Sequence, residues 1–337
     1  MGIKFQKDFY INFPPEIFER IYKYYRSISA NSKDIPDHWA SRHDEKIESF
    51  DFSSGKSIRY RQLNNNNGLD DYYPANFGKG AKLSLLSSIK RKLLRRIDRF
   101  DNKALDPIRN YQISKYKDQP LSLETIKNIP LNNPSWVQAR SVLIANMIYP
   151  FIKDLKKPRV LEIGPGSGNL MYCIDMLFKQ SQIFLVDLPS SLIFSIVNLL
   201  SKENPLDCKF ILPNELYEGI DFSNYKYVFL KDDQINLVKN NSIDLMVNTV
   251  SFAEMMPDTI DNYFQNLRRV ANTNNYFYCL NRVEKNMTKD GNNYPNRFHE
   301  YPWISSDKEF FFRLSEIETI ETTQSAMFEK LVRLSKL

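Results

Sequence analysis

Cysteine, histidine and glycine are all scarce in this chain of 337 residues: three, three and ten respectively. Cys173, Cys208 and Cys279 are odd in number, lack metal-ligand spacing, and each lies in or beside an apolar segment. That excludes a disulfide framework and leaves buried thiols in a reducing compartment. No apolar run approaches the length of a membrane-spanning helix. The opening Met1–Asp8 has no sustained apolar stretch of the secretory type. Gln6 stands where an N-myristoylation signal needs Ser or Thr. A soluble, cytoplasmic protein is the expectation.

Aromatic residues are abundant, with nineteen tyrosines and 23 phenylalanines, and apolar residues make up 42% of the chain, enough for a substantial core. The length suits one large domain with an extension, or two domains. Charge divides unevenly. Residues 1–133 carry 24 Lys+Arg against 16 Asp+Glu, and residues 134–337 carry 22 against 24, so +8 and −2 sum to the net +6. The reading is a basic, mainly helical N-terminal region (1–133) for acceptor or partner binding, then a second domain over 134–337. In the front region, Pro14-Pro15 and the stripe Ile17, Phe18, Ile21, Tyr24 and Tyr25 predict a helix over 9–27. Residues 28–80 read as irregular, with Asn64–Gly68 as a polar turn. Residues 83–100 combine an apolar stripe with six Lys and Arg on the remaining face. A helix packed on its own domain is favoured there over peripheral contact with an anionic membrane or glycolipid.

Asn133-Pro134 caps a helix running to about Leu155. From Val160 the pattern alternates: strands at 160–164, 182–187, 225–231, 243–250 and 276–281, with helices at 168–180, 190–203 and 257–271. Such alternation predicts an α/β fold with a doubly wound, mostly parallel Rossmann-like sheet. Ligands of such sheets bind at the carboxyl ends of the strands, where the strand order reverses.

The first of these strands ends Glu162-Ile163-Gly164-Pro165-Gly166-Ser167-Gly168. Glycines at alternate positions leave the backbone bare where a strand turns into a helix. The second strand ends on Asp187, placed to accept from a ribose diol, with Leu188 following. Dinucleotide sites use a different glycine spacing, and a carboxylate at Glu162 suits a cationic ligand better than a pyrophosphate. This disfavours a nicotinamide-dependent oxidoreductase.

The pattern E-x-G-x-G-x-G resembles motif I of the class I S-adenosylmethionine-dependent methyltransferases. Adding Val186-Asp187-Leu188-Pro189, Ser251–Met255, Tyr278–Arg282 and Tyr301-Pro302-Trp303, residues 134–303 look like the bacterial sugar O-methyltransferase family. The resemblance implies S-adenosyl-L-methionine as cofactor, a carbohydrate or nucleotide-sugar acceptor from surface-polysaccharide synthesis, and no nucleic-acid partner. The expected cofactor contacts are Glu162, Gly164, Gly166, Gly168, Asp187, Leu188, Asp232, Asp233 and Asn248. Ser251, Arg282, Arg297, Tyr301 and Trp303 are the acceptor-facing candidates, the aromatics and Arg suiting a sugar. His299 is the first choice of general base and Glu254 the second. No metal site is expected. The alternatives are a non-catalytic S-adenosylmethionine-binding adaptor and a methyltransferase acting on a non-sugar small molecule.

Overall fold

The computed structural model describes residues 5–30, 50–63, 120–121, 136–178, 180–201, 207–212, 215, 220–289, 292–315 and 326–336. The Asn64–Gly68 tract, the basic stretch 83–100, His38 and His43 lie outside the described residues.

The front segment differs from the expected helix 9–27. Residues Phe5–Asn12 form a strand, β1, and the helix α1 occupies Pro15–Ala30. Phe5, Phe9 and Ile11 share the period-two parity of a strand, and Pro15 then takes the first helical position, where its missing N–H is no loss. The stretch read as irregular contains β2 (Phe50–Asp51) and β3 (Ser57–Leu63), which join β1 in an antiparallel sheet ordered β1-β3-β2.

The remaining elements follow the alternation. They are α2 (Trp136–Ile152), β4 (Arg159–Ile163), α3 (Asn169–Leu177), β5 (Gln182–Asp187), α4 (Pro189–Leu200), β6 (Cys208–Phe210), β7 (Tyr227–Lys231), β8 (Ile243–Thr249), α5 (Pro257–Val270) and β9 (Ala271–Arg282). A hairpin of β10 (Glu284–Lys289) and β11 (Asn292–Arg297) comes next, then β12 (Lys308–Leu314) and β13 (Met327–Arg333). Eight strands make one sheet ordered β12-β13-β9-β8-β4-β5-β7-β6. Neighbours from β6 to β9 run parallel, while β13 is antiparallel to both β9 and β12. The fold is therefore α/β, doubly wound and Rossmann-like. After β4 the chain builds outward through β5 and β7, then returns to place β8 on the other side of β4. The crevice of this fold lies at that reversal, past the carboxyl ends of β4 and β8.

Side chains alternate between two buried layers. Val160, Leu185, Val247, Tyr278 and Leu280 face one layer with α2, α3, α4 and α1. Leu161, Ile163, Met246, Phe277 and Cys279 face the other with α5. Helix α1 is part of the first layer through Ile17, Ile21, Tyr24 and Ile28. The Tyr24 ring meets Phe210 edge-on at 5.8 Å, and Arg20 donates to the Phe210 carbonyl at 3.3 Å. Phe50 of β2 packs on Phe194 of α4 at 4.9 Å. The described front residues thus share their core with the parallel sheet. Among the described residues no helix is long and apolar enough to cross a membrane.

Candidate active site

The loop after β4 is built around three glycines with positive φ: Gly164 at 69°, Gly166 at 59° and Gly168 at 76°. L side chains rarely adopt that conformation. Two of the three have a second reason to be glycine. A Cβ on Gly164 would overlap the Ser251 side chain, and one on Gly168 would lie 2.9 Å from Leu199 Cδ1. The loop is tied down by Gly164 N donating to Val186 O at 2.8 Å, Gly168 N to Pro165 O at 2.8 Å, and Asn198 Nδ2 to Ser167 O at 2.6 Å. Asn198 comes from α4 and carried no sequence signal, because a lone Asn in a helix has no motif.

Glu162, two residues before Gly164, is 1% exposed, and its Oε2 accepts no hydrogen bond. Burial first, and nearby Asp187 second, push its carboxyl up to about 8 against the opposing charge of Arg140 of α2. A buried carboxylate with an open acceptor suits a cation arriving from outside. Arg140 falls in an apolar helix and carries no sequence signal of its own.

Asp187 ends β5, and its Oδ1 accepts from Leu188 N at 2.8 Å. Leu188 then opens α4, with Pro189 at its first position. The neighbouring strand tip carries Asp232 and Asp233, which the structure separates. Asp232 is largely buried, and burial followed by Asp233 raises its carboxyl. Asp233 is exposed and lies 3.7 Å from the Lys231 ammonium. Two buried phenols see this acidic edge, Tyr24 of α1 and Tyr263 of α5. Burial pushes both well up, and Asp187 and Asp232 add to it.

The carboxyl end of β8 has a different task from the ligand contacts expected of it. Asn248 is fully buried, and all its polar atoms are engaged within the protein. Its Nδ2 donates to Ile163 O at 2.9 Å and to Ser251 Oγ at 2.6 Å; its Oδ1 accepts from Asn281 Nδ2 at 2.8 Å and Phe252 N at 3.3 Å. Ser251 Oγ also donates to Ile163 O at 3.2 Å. Asn248 and Ser251 therefore brace the glycine loop. The chain turns here through Val250 at φ 69°, a left-handed conformation that a β-branched residue adopts only under strain.

Glu254 closes the 3-10 turn Ser251–Glu254, is 4% exposed, and pairs with Lys285 Nζ at 2.9 Å. From β11, Asn296 Nδ2 donates to Phe252 O at 2.7 Å and Met255 O at 2.9 Å, so the β10–β11 hairpin clamps this turn. The other expected residues divide. Arg282 stands at the tip of β9, half-buried. Arg297 is held by Glu284 at 2.6 Å and Glu300 at 2.9 Å. Tyr301 and Trp303 do not form an open sugar platform. Tyr301 is buried against Phe252 and Phe264, and Trp303 packs on Phe264 at 4.9 Å and donates to Phe298 O at 3.1 Å. Apolar rings so placed complete the α5 layer.

His299 has a side chain 64% exposed, with Nε2 3.9 Å from Glu300 Oε1. Its turn is anchored by Phe298 to Phe312 of β12 and Phe328 of β13. Strand β13 is three places from β4, about 14 Å at ordinary strand spacing. The turn carrying Glu254 reaches Gly164 itself through Ser251, so of the two base candidates Glu254 lies on the element that abuts the glycine loop. Among the described residues no group of three or more His, Cys, Asp or Glu could hold a metal ion.

No family model matches the chain, and no curated protein matches it in sequence. Solved structures overlap it in part. The 1,6-didemethyltoxoflavin-N1-methyltransferase of Burkholderia thailandensis, with bound S-adenosylhomocysteine, is 11% identical at a TM-score of 0.40, over 60% of this chain and 81% of its own. The mitomycin 7-O-methyltransferase is 11% identical at 0.38, over 60% and 55%. The arsenic(III) S-adenosylmethionine methyltransferase of Chlamydomonas reinhardtii is 13% identical at 0.34, over 53% and 64%. The chain spans less than two thirds of the length of the last two.

Proposed function

We propose that the chain is an S-adenosylmethionine-dependent methyltransferase acting on a hydroxyl of a carbohydrate or nucleotide-sugar acceptor. The observation that carries the cofactor reading is Glu162: a buried carboxylate whose Oε2 is open, at the switch point of the sheet, directly before three left-handed glycines. Glu162 would take the ammonium end of the ligand, Gly166 would leave backbone bare beside it, and Asp187 would accept from the ribose. Asp232 is the better placed of its pair to meet the adenine amine, since Asp233 faces solvent beside Lys231. Bound there, S-adenosylmethionine supplies a methyl group made electrophilic by its sulfonium.

The protein's own part is alignment and removal of one proton. An acceptor hydroxyl forms the new C–O bond as the C–S bond breaks, and its proton passes to a base. Glu254 takes that role in preference to His299, because its turn abuts the glycine loop while His299 sits on an outer turn. The carbohydrate acceptor rests on the sequence resemblance. Calorimetry with S-adenosylmethionine tests the cofactor half, and release of S-adenosylhomocysteine with hexose, uronic acid and nucleotide-sugar acceptors tests the rest. A protein that ignores the cofactor overturns the reading. One that binds it and turns over no acceptor is an adaptor.

A further inference from the structure

Four described arginines have a buried Nε without an acceptor: Arg59, Arg159, Arg282 and Arg333. Three have compensation. Arg59 lies 3.9 Å from Asp51, Arg159 lies over the Phe184 ring at 5.4 Å, and Arg333 lies over Tyr276 and Phe310. Arg282 has neither carboxylate nor aromatic face among the described residues. A guanidinium is a fixed fork of donors, and one that is partly desolvated and unanswered is a strong seat for an oxyanion.

Its position makes that seat useful. Tyr278 and Leu280 point into the α2–α3 layer, so by strand alternation Arg282 follows on the same face, and Glu162 of β4 shares it. On one side Arg282 adjoins the strained turn, where Val250 N donates to Leu280 O at 2.6 Å. On the other it pairs in register with Met327 of β13. Nearby negative charge is already answered: Glu254 by Lys285, Glu284 and Glu300 by Arg297, and the buried Glu329 of β13 by Arg313 and the Tyr278 hydroxyl. No carboxylate of the described hairpin competes for Arg282.

We infer that Arg282 anchors a phosphate or carboxylate group of the molecule that receives the methyl group. The inference rests on the methyltransferase reading of the same crevice, and it narrows the acceptor to an anionic one.

Inorganic phosphate and acetate, each against chloride at matched ionic strength, are the probes. The readouts are the Arg282 Nε–H resonance in nitrogen-15 spectra, identified by its loss in R282Q, and the melting temperature. Phosphate or acetate should move that resonance saturably in the millimolar range and raise the melting temperature of the parent but not of R282Q. A stronger response to phosphate marks a phosphorylated acceptor, and a stronger response to acetate marks an acid. R282K, which keeps the charge and loses the fork, should bind about tenfold more weakly, and it stands in if R282Q folds poorly. A resonance that answers both anions only as it answers chloride, or a melting shift retained in R282Q, overturns the inference. S-adenosylmethionine titrated into the parent and R282Q separates the two readings. Retained cofactor binding with lost anion binding supports this one, whereas a parent blind to the cofactor ends the methyltransferase reading whatever the anions do.

Discussion

Tyr24 and Pro189 stand 165 positions apart in the chain, yet the Tyr24 hydroxyl donates to the Pro189 carbonyl at 3.3 Å. Pro189 is the first residue of α4 behind its cap Leu188, two residues after Asp187, so the bond joins the front helix to the ribose end of the proposed cofactor site. The front segment is thereby tied to the helix that follows Asp187.

Y24F should lower stability by about 0.5–1.5 kcal/mol, the worth of one such bond, and weaken S-adenosylmethionine binding modestly. Y24A should be worse by several kcal/mol through the cavity it leaves under Phe210. Chemical denaturation and calorimetry on both variants check this. Unchanged cofactor affinity in Y24A would show that α1 supports the fold without shaping the site.

Glu162 sets a pH dependence. Its carboxyl is pushed from 4.5 to about 8 in the folded chain, so the folded state holds a proton that the unfolded state has lost between those values. Stability from this group is fully present below about 4.5 and falls as pH rises toward 8, by roughly 5 kcal/mol at most. E162Q should flatten that part of the stability curve. Cofactor binding runs the other way: a cationic ligand selects the carboxylate, so affinity should rise with pH up to about 8. Binding at neutral pH should release a proton, visible as a dependence of the binding heat on buffer ionisation enthalpy. A heat independent of buffer would refute this.

Gly164→Ala should destabilise by about 2–4 kcal/mol, combining the left-handed conformation with the clash against Ser251. S251G in the same chain should recover part of that loss by making room. If the double variant is no better than the single one, the close approach of Ser251 is not the constraint.

E254Q should cut methyl transfer about 10²–10⁴-fold with cofactor affinity kept, while H299A should stay near the parent. The Lys285 partner left behind in E254Q makes a melting curve a necessary companion. The opposite ranking would return the base role to His299.

The parallel half of the fold was legible because its strands are buried on both faces and read as continuous apolar runs, as Ile183–Val186 does. From β4 to α5 the expected and observed bounds agree to within a few residues, except that the three-residue edge strand β6 has no counterpart in the expected pattern. The outer strands were not legible. Strand β12 carries Phe310, Phe311 and Phe312 consecutively, is largely exposed along its length, and so has no period to read. Within the candidate site, spacing alone singles out Glu162, Gly164, Gly166, Gly168 and Asp187. Asn248 and Ser251 are ligand candidates by their place at the β8 tip, and Tyr301 and Trp303 by their aromatic type. Their burial and internal bonds come from contacts across strands, which spacing does not encode. Tyr24, Arg140, Asn198 and Lys285 reach the site from other elements by tertiary packing alone.

The Ser251 side chain seated over Gly164 fixes more than one contact. It bridges the two strands that flank the reversal of the sheet, and Asn248 and Asn281 bolt the same joint from behind. The approach of these two strands at the reversal is therefore limited by the hydroxymethyl group of Ser251 packed against Gly164. The β10–β11 hairpin is attached to this joint through Asn296 and Lys285, and under the proposed function it is the element left to adapt to acceptors of different bulk. A swapped hairpin should retune acceptor choice, while a swapped residue in the joint should unsettle the frame itself.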